Sequence, residues 1–167
     1  PVAIAAWGES LYSVDSAQAR VLRHQSEDPS SVKALWPAPG PAPAALAHDG
    51  RNLWSYDALT RTIYRHLGEG ADGGTEAYPL GDVLPSAMAW YKDELWVADS
   101  KSARLSVFRI RGRTLELVRS QKLKEAFTGM ALTMRSLPEG GRRLEMLALS
   151  PGSSGFALRR YRVRPSK

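Results

Sequence analysis

Pro85-Ser-Ala-Met-Ala-Trp-Tyr-Lys-Asp-Glu-Leu95-Trp-Val-Ala-Asp99-Ser-Lys-Ser-Ala-Arg104-Leu105 reads as a small apolar run, a polar turn, an aliphatic-aromatic run closing on Ala-Asp, and a second short turn into Arg-aliphatic. The pattern recurs at a spacing of 42 residues: Pro1, Pro43 and Pro85 align, with Phe127 in the fourth slot. Ile4, Leu46, Met88 and Met130 follow, then Leu11, Leu53 and Leu95, then Asp15, Asp57 and Asp99. The units are 1–42, 43–84, 85–126 and 127–167, treated as one domain over 1–167.

Each unit reads as consecutive strands. The first, Val2–Trp7 and its equivalents, is small and apolar throughout, as expected of a strand packed on both faces near a crowded centre. Short Gly/Asx turns lead to the second strand, Leu11–Asp15, and about four residues later to the third, Arg20–His24. The fourth is clearest as Leu115–Gln121; Pro37 and Pro79 suit an outer edge that needs no ladder donor. A period in the low forties built of strands predicts an all-β propeller-type array of four antiparallel blades, four-bladed or part of a larger ring. The last blade is expected to lack its outer strand, since no run after Phe156–Val163 supplies one. Its first hairpin is nine residues longer than the others, through Arg135–Arg143, and extended loops on a regular scaffold are where contacts concentrate.

On the residues Pro85–Leu105 the chain resembles an NHL-type propeller repeat, and more broadly propellers of the gluconolactonase and streptogramin-lyase kind. Asp15 and Arg20 keep the Asp-to-Arg spacing, Thr62 replaces the Arg in the second unit, and Ser150 replaces the Asp in the fourth. The resemblance implies a fold shared by protein-binding, RNA-binding and enzymatic scaffolds. Enzymes of these families resemble one another in ringing the central channel with metal-binding acids, amides or histidines, and no such set is matched here. Catalytic residues, metal ligands and cofactors are accordingly assigned to none.

Asp15, Asp57 and Asp99 are read as structural turn residues that accept backbone N–H bonds, rather than as a carboxylate ring, which Ser150 would break. His24, His48 and His66 are read as surface or turn residues, and Trp54 and Trp96 as packing between blades. Gly68–Gly74 lacks the Lys-Ser/Thr and the following helix of a phosphate loop.

Composition, 43% hydrophobic and 24% charged, is that of a globular domain, with no apolar run long enough to cross a bilayer as a helix and no cysteine for disulfides. Beginning at Pro1, the chain reads as a processed product or a segment, which favours a periplasmic or secreted location without fixing it. Charge is uneven: residues 1–84 carry a net −4 and residues 85–167 a net +10. Arg109, Arg111, Arg113, Arg135, Arg142, Arg143, Arg159, Arg160, Arg162 and Arg164 are candidate partner-binding residues, suited to bidentate contact with carboxylate or phosphate. These features point to a non-catalytic docking module for an acidic or strand-donating protein, a larger complex or a second copy. An anionic polymer is also compatible; sequence-specific nucleic acid is not indicated, because no exposed aromatics interleave with the arginines. The alternative is a fragment of a larger enzymatic or ligand-binding propeller whose site residues lie elsewhere.

Overall fold

The computed structural model describes residues 2–152 and 155–164. The first sheet is β1 (Ala3–Trp7), β2 (Ser10–Asp15), β3 (Arg20–Gln25) and β4 (Val32–Pro37). The second is β5 (Pro43–His48), β6 (Leu53–Asp57), β7 (Thr62–His66) and β8 (Thr75–Pro79). The third is β9 (Pro85–Tyr91), β10 (Glu94–Asp99), β11 (Arg104–Arg111) and β12 (Thr114–Lys122). The fourth has three strands among the described residues, β13 (Gly129–Ser136), β14 (Arg142–Gly152) and β15 (Gly155–Arg162). Each sheet is an antiparallel meander in chain order, and the four are arranged as the blades of a β-propeller. One 3-10 turn, Ala71–Gly73, is the only helical element among the described residues.

The second turn of each unit shows why the strands stop where they do. Asp15 Oδ1 accepts from the amides of Ala17 and Gln18, Asp57 Oδ1 from Leu59 and Thr60, and Asp99 Oδ1 from Lys101 and Ser102. The turn then closes through a left-handed residue at Ala19, Arg61 and Ala103, with φ of 49°, 52° and 49°. The second carboxylate oxygen reaches further in two units, accepting from Ala42 N (Asp57) and Leu84 N (Asp99), the residues just before each inner strand.

Apolar faces of adjacent sheets meet in three clusters. Val14, Val21 and Trp36 of the first sheet pack on Leu46 and Leu53 of the second. Trp54, Tyr56 and Tyr78 of the second meet Met88, Leu95 and Phe108 of the third. Trp96, Leu105 and Val107 of the third meet Leu144, Met146 and Ala148 of the fourth. Among the described residues no cluster joins the fourth sheet to the first.

Here the structure departs from expectation. Inner strands β5 and β9 are buried as anticipated, but β1 and β13 are largely exposed. Ile4 is 61% exposed, whereas its equivalents Leu46 and Met88 are 2% and 4%. The cause is that no sheet of the described residues packs on that side, not a difference in residue type. The long fourth hairpin also differs from a loop: β13 and β14 stay paired out to Ser136–Arg142, so the extra residues lengthen two strands and leave a short turn closed by Leu137 N to Gly141 O at 3.2 Å.

Candidate functional site

The ends of all four inner strands converge on an axial cleft of about 50 Å3, walled by small and apolar residues such as Ile4, Leu46, Met88 and Met130. It carries no carboxylate, imidazole or cation among its walls, and no group of three or more His, Asp or Glu converges anywhere among the described residues. Among the described residues the walls of the axial cleft bring together no cluster of acids or histidines.

The charged side chains gather instead on the last blade. Leu144, Met146 and Ala148 point from β14 toward the third sheet, so strand alternation sends Arg143, Glu145, Leu147 and Leu149 to the opposite, outward face. Opposite them on β15 are Arg162, Arg160 and Leu158. Glu145 is buried at the centre of this face. Arg143 lies 2.6 Å from its carboxylate, Arg160 3.4 Å and Arg135 3.8 Å. The Arg143 hydrogen bond, against the opposing effect of burial and with the charges of Arg135 and Arg160, holds the Glu145 carboxyl below its ordinary range. One carboxylate thus orders three guanidinium groups on a sheet face that is otherwise aliphatic. Leu158 is 70% exposed there, whereas Leu105, at the equivalent register in the third sheet, is 3% exposed.

The other candidate arginines are dispersed. Arg109 bridges Asp93 at 3.2 Å and buried Glu94 at 3.0 Å, at the cleft between the second and third sheets. Arg111 pairs with Glu116, and Arg159 with Glu125, whose carboxylate also accepts from Tyr161. The carbonyl of Arg164 accepts from Arg119. Arg113, Arg142 and Arg162 make no ion pair among the described residues. Sequence reasoning selected the arginines but not Glu145, whose repeat equivalence to Glu94 was hidden by the nine-residue insertion before it.

Of the histidines read as surface or turn residues, His24 and His48 are half-buried, His48 accepts from Gly50 N in its hairpin turn, and His66 departs from the expectation. His66 is buried against Ser55 Oγ at 2.9 Å, and burial lowers its pKa to about 4. His24 repeats this pairing with Ser13 at 2.8 Å. His48 stacks between Trp7 and Tyr12, with its pKa lowered chiefly by burial.

No family model and no curated protein matches the chain. Solved structures do. The chain is similar to hydrazine synthase of Kuenenia stuttgartiensis, at 16% identity and TM-score 0.61 over 97% of this chain and 46% of that one. It is similar to a chain of the mitotic checkpoint complex, at 17% identity and TM-score 0.61 over 98% and 49%. It is also similar to virginiamycin B lyase of Staphylococcus aureus, at 15% identity and TM-score 0.51 over 93% and 53%. The chain spans about half the length of these proteins. They include both enzymes and a member of a protein assembly, and at such identities the likeness shows the propeller fold, with the streptogramin-lyase kind among its examples.

Proposed function

We propose that the chain is a non-catalytic docking module that binds an acidic protein surface or strand on the outward side of its last blade. One observation carries the reading: a sheet face of interior type, with Leu158 exposed where Leu105 is buried, is left uncovered and set with Arg135, Arg143, Arg160 and Arg162. Burial of the leucines supplies affinity, and the arginines favour carboxylates and set register. Edge strand β15, unpaired on its far side among the described residues, offers backbone donors and acceptors to an added strand. The repeat motif supports assignment to the NHL-type class of such scaffolds.

Poly-L-glutamate tests the electrostatic part. Binding should weaken about tenfold or more between 50 and 500 mM NaCl, and the triple variant Arg135→Gln/Arg160→Gln/Arg162→Gln should weaken it about tenfold at low salt. Affinity indifferent to salt or to the three substitutions overturns the reading.

A second reading is favoured by a specific observation: Ile4 on the first blade is uncovered as Leu158 is on the last. Both faces would be covered if the chain were one sector of a longer propeller, in keeping with the greater length of the similar structures. Further 42-residue units in the parent polypeptide would establish this reading, and their absence would remove it.

A further inference from the structure

In the first two blades an aromatic residue of the outer strand plugs the space toward the next blade. Trp36, opposite Val21, packs on Leu46 and Leu53 and lies edge-on to His66. Tyr78, opposite Ile63, packs on Trp54 and into the cluster shared with the third sheet. Both are almost wholly buried. In the third blade the residue opposite Leu105 is Gln121. The register irregularity between Val107 and Phe108 displaces it by one from the 42-residue step, so the substitution escapes a reading by period alone.

Where the plug is missing there is a hole. A cleft of about 310 Å3 opens between the third and fourth blades, with Trp96 and Leu105 among its apolar walls, Gln121 at its side and Arg119 and Arg162 on its boundary. That volume is at the small end of ligand sites and suits one aromatic ring with a short substituent. Two of its donors lack an acceptor, the Nε of Arg119 and the Nε1 of Trp96, while Arg119 Nη2 donates to the Arg164 carbonyl at the rim. Arg119 lies over the Trp96 ring, 4.7 Å from the centroid, and makes no ion pair among the described residues. Its Nε is buried without a hydrogen-bond partner. Trp96, itself 1% exposed, has an unpartnered Nε1. In the second blade the equivalent Trp54 donates to Asp49 Oδ2 at 2.8 Å, and Tyr91 takes the place of Asp49 in the third.

We infer that this cleft binds a small aromatic acid, whose ring occupies the space filled by Trp36 and Tyr78 in the other blades and whose carboxylate pairs with Arg119. The cleft lies on the opposite side of the fourth sheet from the docking surface and shares with it only Arg162, at the boundary of both. Ring burial against Trp96 and Leu105 supplies the apolar part, and Arg119, held at Nη2 by the Arg164 carbonyl, offers its remaining guanidinium N–H groups to the carboxylate.

Indole-3-propionate is the probe, titrated calorimetrically into the full chain alongside neutral 3-methylindole. Saturable 1:1 binding of the acid is expected. Arg119→Gln should weaken the acid at least tenfold while changing 3-methylindole less than threefold. Gln121→Trp should restore the plug, abolish binding of both and raise the melting temperature; Gln121→Tyr serves if the larger ring is not accommodated, with circular dichroism reporting the fold of each. Absence of saturable binding at millimolar acid overturns the inference. So does equal binding by the folded plug variants, or equal loss of acid and neutral indole in Arg119→Gln. Loss of poly-L-glutamate binding with the acid site intact would remove the docking reading alone.

Discussion

His66 has exchanged the solvent of an ordinary histidine for a place in the second blade, with Ser55 as its partner. Unfolded, its imidazole takes up a proton near pH 6.5; folded, burial keeps it neutral down to about 4. Between those values the unfolded chain binds more protons. Stability is therefore fully present above pH 6.5 and is lost as the pH falls toward 4, by up to about 3 kcal/mol from this group. The third blade shows how to remove the effect, since Val97 and Phe108 occupy the equivalent positions within the core. The double variant Ser55→Val/His66→Phe should flatten the dependence of urea stability on pH between 4.5 and 7; an unchanged slope would assign the dependence to other groups. The sequence showed that His24 and His66 are equivalent and belong to separate blades. It did not show their burial, because that depends on which neighbouring sheet covers a polar side chain, and residue type carries no trace of it.

The turn between second and third strands is the element on which the units most depend, and it is not equally built in each. Asp57 is buried and accepts from Leu59 N, Thr60 N, Thr60 Oγ1 and Ala42 N, while Asp15 is only half-buried and accepts from Ala17 N and Gln18 N. Removing an acceptor strands every donor it served, and at a buried site those donors find no water. Asp57→Ala should cost about 3 kcal/mol and Asp15→Ala about 1 kcal/mol by denaturant unfolding, the ratio distinguishing a shared latch from a local turn. Equal costs would show that the turn alone matters. Strands and turns were legible because local chemistry decides them: alternation, Asx residues and proline at edges. The outer strand of the third blade was legible as Leu115–Gln121 against Thr114–Lys122 in the structure, but its contact residue was not. A single extra residue in the register moves Gln121 into the place of an aromatic, and only pairing reveals the shift.

Across the whole molecule, the same leucine has different worth in different blades. Leu105 lies between two sheets and Leu158 on the outside of the last, at one and the same register. Leu105→Ala should destabilise the chain by about 2–5 kcal/mol, and Leu158→Ala by less than about 0.5 kcal/mol, as read by thermal and urea unfolding. Comparable losses would mean that the outer face is covered in solution. The repeat told of four similar sheets, yet it could not tell which faces meet, because Ile4 and Leu158 follow the same pattern as residues that are buried. The charge asymmetry was legible as a sum; its resolution into three arginines around Glu145 and several dispersed pairs required the fold. The reach of Asp57 back to Ala42, and of Asp99 back to Leu84, has a consequence for how such a chain can grow. The second and third units each fasten the stretch of backbone leading into them using a side chain of their own. A copied unit inserted at such a boundary arrives with its own clasp and asks no compensating change of its neighbours. Lengthening by duplication of the second or third unit would thereby carry the clasp with it, in steps of one blade.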